Sequence, residues 1–162
     1  MFRNALRTAA RPSAFRQLAR SYATEAGPAR LRVSFVSPHQ TILDKFEATQ
    51  VNLSSTEGDM GILAEHVPTI AQLKSGAIEV FSATEKPQKF FVSGGFAIIN
   101  PDSTLNINAV EAFPLEDLDL DAARRALDDA NRRATSGGSE QDKLIAKVEV
   151  EVYEAVVAAI SK

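Results

Sequence analysis

The sequence predicts a mostly β plus α protein, with an antiparallel β domain over residues 31–114 followed by an antiparallel two-helix hairpin over residues 115–162. Three observations lead there. Past the leader, all the prolines (Pro28, Pro38, Pro68, Pro87, Pro101 and Pro114) precede residue 115. Between them, short segments alternate apolar and polar residues with period two, the mark of half-buried strands. From Leu115 onward the period becomes helical, interrupted by Ser136-Gly137-Gly138-Ser139.

The first 22 residues read as a leader rather than as fold. Arg3, Arg7, Arg11, Arg16 and Arg20 occur before any acid, and Glu25 is the first acidic residue. Arg3, Arg7 and Arg11 share one face of a helix, with Phe2 and Leu6 opposite. An amphipathic, Arg-rich, acid-free start is the signature of a mitochondrial presequence. Arg20-Ser21-Tyr22-Ala23 resembles a matrix-protease processing site, which places the mature start at Ala23 and leaves 23–30 as an N-terminal extension. Removing those five arginines from 18 basic and 21 acidic side chains leaves thirteen against 21, a net charge of about −8. An acidic mature chain makes nucleic acid a poor partner.

In the β domain, Leu31, Val33 and Phe35 alternate with Arg32 and Ser34; Thr49, Val51 and Leu53 with Gln50 and Asn52; and Leu105, Ile107 and Ala109 with Asn106 and Asn108. Ile78 and Val80 flank Glu79. Turns fall at Leu73-Lys74-Ser75-Gly76, Glu85-Lys86-Pro87-Gln88 and Asn100-Pro101-Asp102-Ser103. Many short strands at this spacing imply an antiparallel sandwich or barrel. In the helical part, Asp119 or Asp121 caps the first helix, whose small stripe is Ala123, Ala126, Leu127 and Ala130 and whose last turn holds Arg132 and Arg133. The second helix runs from about Glu140 to Ile160, with Leu144, Val148, Val152, Ala155, Val156 and Ala159 as its apolar face.

The stretch Glu57-Gly58-Asp59-Met60-Gly61-Ile62-Leu63 stands out, because glycines and acids lead into apolar residues. Spacing leaves two readings open. Either a tight loop presents an apolar tip to a partner surface, or Met60, Ile62 and Leu63 turn back into the core as the next strand begins. Catalytic signatures are weak by contrast. There is no cysteine, and His39 and His66 have no metal-ligand spacing. Ser93-Gly94-Gly95-Phe96 lacks the lysine and the strand-to-helix context of a phosphate loop, and reads as a bulge or sharp bend. Neither a catalytic residue nor a metal or other cofactor is expected, and no apolar run has the roughly 18 residues of a membrane span.

Val51-Asn52-Leu53, Glu57 to Leu63, His66-Val67-Pro68, Leu73 to Gly76, Phe91-Val92-Ser93-Gly94-Gly95-Phe96 and the acidic link Glu116 to Asp119 together resemble one family across residues 31–160. It is the subunit family called delta in mitochondrial F-type ATP synthases and epsilon in bacteria and chloroplasts. The chain departs from it at Ala64-Glu65, where the family often has Pro-Gly. The resemblance implies a β-sandwich of about ten strands with a C-terminal helical hairpin, in a non-catalytic central-stalk (rotor) subunit. It implies as partners the gamma subunit, the mitochondrial epsilon subunit and the c-ring, on the matrix side of the inner membrane. It also implies that Glu57, Asp59, Met60, Ile62 and Leu63 meet the ring. Some bacterial relatives bind ATP on the hairpin through Ile/Leu-Asp-x-x-Arg-Ala. Leu120-Asp121-Ala122-Ala123-Arg124 matches, but Arg125 replaces the alanine, so a regulatory nucleotide-binding module is the alternative and a capped helix start the preferred reading.

Overall fold

The computed structural model describes residues 30–136 and 138–161, so the proposed presequence and all but Arg30 of the extension lie outside the described residues. Ten strands come first: β1 (Leu31–Val36), β2 (Thr41–Ala48), β3 (Gln50–Ser55), β4 (Gly58–Leu63), β5 (Thr69–Leu73), β6 (Gly76–Phe81), β7 (Gln88–Val92), β8 (Gly95–Ile99), β9 (Thr104–Ala109) and β10 (Ala112–Pro114). A 3₁₀ turn, Leu115–Asp117, leads to α1 (Leu120–Thr135) and α2 (Glu140–Ile160).

The strands form two layers, β4-β3-β6-β7-β10 and β5-β8-β9-β1-β2, joined where Ser55 of β3 pairs with Leu73 of β5. The sandwich is therefore the form the β domain takes. Pairing is antiparallel except between β1 and β9, which run parallel from Arg32↔Thr104 to Val36↔Asn108. Almost the whole β domain separates those two strands in sequence, enough chain for a parallel return.

Period-two alternation supplies the core. Leu31, Val33 and Phe35 are fully buried, as are Val51, Ile62, Ile78, Leu105 and Ile107. The Phe35 and Phe90 rings meet edge to face across the layers at 5.4 Å, a favoured aromatic arrangement. Gly94 and Gly95 make the sharp bend between β7 and β8, with φ of 150° and 146°. A Cβ on Gly95 would lie 2.1 Å from the Asn108 carbonyl oxygen, so β8 and β9 approach as closely as they do only because no side chain is present.

The hairpin covers the outer face of the first layer. Phe91 and Ala77, which point away from the sandwich core, pack with Ala123, Val156 and Ala159. The Asp119 carboxylate caps α1 by accepting from the Asp121 and Ala122 amides at 2.8 and 3.2 Å. Ser139 and Asp142 form a capping box at the start of α2. Ala130 and Ala146 are buried where the helices meet, and Arg133 of α1 pairs with Asp129 and with Glu149 of α2. One expectation changes: Leu144 and Val148 are 63% and 56% exposed, and Ala146 takes the inward position in that half of α2. Small side chains let the helices approach closely, and that rotation turns the longer ones outward.

Candidate functional site

The Glu57–Leu63 stretch is mostly strand, not loop. β3 and β4 form a hairpin in register from Gln50↔Leu63 to Ser55↔Gly58, and Thr56-Glu57 alone makes the turn. Ser55, 2% exposed, holds that turn from inside: its hydroxyl donates to the Gly58 carbonyl at 2.8 Å and accepts from the Glu57 amide at 3.2 Å. Gly58 has φ 136°, a conformation that L side chains rarely adopt. Gly61 has no such requirement, since a Cβ there would sit at an ordinary 3.5 Å from Asn52.

The five proposed contact residues do not form one apolar tip. Ile62 is fully buried in the core and Met60 packs partly against it, so alternation sends both inward. The second of the two readings thus holds for Ile62, which has no surface to offer a partner in this fold. Glu57 and Asp59 are exposed, and Leu63 is 53% exposed. Ser54 donates to the Asp59 carboxylate at 2.7 Å and fixes its direction. The hairpin's end is therefore acidic and firmly held.

Its outer face is polar. Gln50 donates to Asn52 at 2.6 Å, Asn52 to Glu79 at 3.3 Å, and Lys89 pairs with Glu79 at 3.0 Å. A crevice of about 530 Å³ opens between this face and the end of α2, lined by Asn52, Ser54, Asp59, Lys74, Ala155 and Ala158 among others. Arg124 and Asp121, the residues of the nucleotide alternative, stand exposed on α1 and do not line it.

The second layer is different. On its outer face Ile70 of β5 is paired with Ile98 of β8, and Phe96 lies two pairs along, between Gln72 and Asn108. Ile70 is 74% and Phe96 52% exposed, and Val67 in the preceding loop is 73% exposed. Sequence reasoning missed these residues. Their signal was Gly95-Phe96-Ala97-Ile98-Ile99, a strand apolar on both faces, which is how a strand buried from both sides reads.

The 64–68 loop joins the layers. Glu65 keeps a left-handed backbone with φ 61°. His66 Nδ1 lies 2.8 Å from the Val67 carbonyl oxygen, and Thr69 donates to that oxygen at 2.9 Å. No helix among the described residues is long and apolar enough to cross a membrane.

One outer face of the sandwich is covered by the chain's own helices, the other carries exposed Ile70 and Phe96 beside the polar Asn106 and Asn108, and the edge hairpin ends in exposed acids. The family described as ATP synthase, Delta/Epsilon chain, beta-sandwich domain matches residues 30–114. A mitochondrial ATP synthase subunit delta from Agaricus bisporus is 47% identical over 82% of each chain, and one from Yarrowia lipolytica is 45% identical over 95% of this chain and 94% of that one. Among solved structures, a chain of the Euglena gracilis mitochondrial ATP synthase, OSCP/F1/c-ring in rotational state 1, superposes with a TM-score of 0.78 at 31% identity, covering 86% of this chain and 87% of that chain. The chain belongs to the ATP synthase delta/epsilon family, within its mitochondrial delta branch.

Proposed function

We propose that the chain is a non-catalytic rotor subunit of the central stalk of mitochondrial F-type ATP synthase, coupling rotation of the c-ring to the gamma subunit. The observation that carries this reading is the relative at 31% identity, similar along 86% of this chain, that belongs to an assembly of OSCP, F1 and c-ring. The surfaces suit the task. The acidic end of the β3–β4 hairpin, with Glu57 and Asp59, faces the ring's polar loops, flanked by Leu63 and the half-buried Met60. Ile62 supports the hairpin from the core. The open face around Ile70 and Phe96 docks on gamma, and the mitochondrial epsilon subunit joins the same stalk. A close-packed sandwich deforms little under load, so it passes torque rather than absorbing it. Nucleotide chemistry stays with the alpha and beta subunits. The leader directs the chain to the matrix, where it is held peripherally at the inner membrane by its partners.

Affinity purification of a tagged full chain from mitochondria tests this. Co-purification with gamma and the c-ring is expected. An intact, coupled synthase purified without the chain would refute it.

A further inference from the structure

The loop that leads into the apolar face is held by the Ser103 side chain. Glu65 and Ser103 both carry left-handed backbones, with φ of 61° and 58°. They are bonded to each other: the Glu65 amide donates to the Ser103 hydroxyl at 2.9 Å. Ser103 sits in a turn fixed from several sides. Its carbonyl accepts from the Arg32 amide at 3.0 Å, which ties it to β1. The Asp102 carboxylate accepts from the Thr104 hydroxyl at 2.6 Å, and Asn100 donates to that hydroxyl at 2.9 Å. At the loop's other end His66 and Thr69 both reach the Val67 carbonyl, as described above. Val67 and Ile70 are among the most exposed large apolar residues, yet the backbone that carries them is anchored on both sides.

We propose that Ser103 is a positioning residue for the gamma-docking face: its hydroxyl clamps the 64–68 loop to the β8–β9 turn so that Val67 is presented already ordered beside Ile70, which the β5–β8 pairing holds. This rests on the stalk reading above. Two strained backbones held together by one hydrogen bond make a costly way to close a loop. The gain is a docking edge that loses little freedom on binding. Without the hydroxyl the Glu65 amide has only solvent, and the loop samples other conformations.

The test uses the full chain reconstituted with gamma, reading the rate at which a labelled copy leaves the complex. Ser103→Gly keeps the left-handed turn and removes the hydroxyl. It is expected to raise the off-rate roughly three- to ten-fold, the range of one lost hydrogen bond, and to abolish amide-exchange protection at Glu65. Ser103→Asn tolerates the same backbone and returns an acceptor oxygen, so it is expected to restore both. Ile107→Val, a core change with a similar effect on melting, is expected to leave the off-rate alone. If wild-type chain binds gamma and Ser103→Gly leaves its off-rate unchanged, or if Ile107→Val raises it equally, the clamp is refuted and the stalk reading stands. If wild-type chain does not bind gamma, both fall.

Discussion

Replacing Gly95 with alanine should be among the most damaging one-carbon changes in the β domain. The added Cβ would lie 2.1 Å from the Asn108 carbonyl oxygen, 2.8 Å from Ala109 Cα and 3.0 Å from the Asn108 carbonyl carbon. All three atoms are backbone of β9, so no side chain can swing aside. Ordinary contact begins near 3.4 Å, which requires β8 to move about 1.3 Å from β9 at the pair Gly95↔Ala109. Left-handed strain at φ 146° costs about 1–2 kcal/mol for a non-glycine residue. Overpacking adds about 1–3 kcal/mol, and a weakened ladder hydrogen bond about 1 kcal/mol. A loss of about 3–6 kcal/mol follows. Gly58→Ala is the control, because its φ is 136° but nothing lies within 4 Å of the new carbon, so the strain acts alone at about 1–2 kcal/mol. Urea unfolding of the full chain followed by circular dichroism gives both values. A Gly95→Ala loss no greater than that of Gly58→Ala would refute the close-approach argument.

Other outcomes follow from the same geometry. Glu65→Gly relieves a left-handed residue and keeps the amide that Ser103 holds, so it should raise stability by about 0.5–1 kcal/mol in the same unfolding experiment, partly offset by the greater freedom of the unfolded chain. Ile62→Asp places a charge at a fully buried site and should leave little soluble folded protein, whereas Asp59→Lys, which loses only the exposed Ser54 hydrogen bond, should lower the melting temperature slightly and weaken association with the ring. The Ser139 hydroxyl, and then its amide, hold the Asp142 carboxyl below its ordinary value of 3.8. A lowered folded-state value means that the capping contribution is present above about pH 3.8 and lost as pH falls through the folded value. Protection factors in the first turn of α2, measured against the intrinsic exchange rate at each pH, should therefore fall on acidification below that point, and Ser139→Ala should flatten the dependence.

Much of the fold was legible because its physics is local. Alternation placed Leu31, Val33, Phe35, Ile78, Val80, Leu105 and Ile107 in the core, and all are buried there. Of the two candidate caps for α1, Asp119 is the one that caps it, and α2 starts at Glu140 where its helical period placed it; the Ser139-Asp142 capping box emerged only in the structure. The departures came where one pattern admits two structures. Gly58 and Gly61 suggested a loop, yet Met60-Gly61-Ile62 alternates, and strand pairing with β3 decided the matter. On α2 the helical period allowed Leu144 and Val148 to face inward, but the close approach of α1 selected Ala146. Ile70 and Phe96 escaped notice because a strand apolar on both faces does not say which face its own core covers. A partner surface is a property of the assembly, and one chain's periodicity carries only half of it.

The most direct measurement is disulfide or short-linker cross-linking from Asp59→Cys in the assembled synthase, with ATP-driven proton pumping followed at the same time. The chain contains no native cysteine, so the introduced thiol is its sole point of attachment. The rotor reading predicts a product with the c subunit and no loss of pumping, since two parts of one rotor turn together. A product with a stator subunit, or pumping that stops when the chain is tied to the ring, would contradict it.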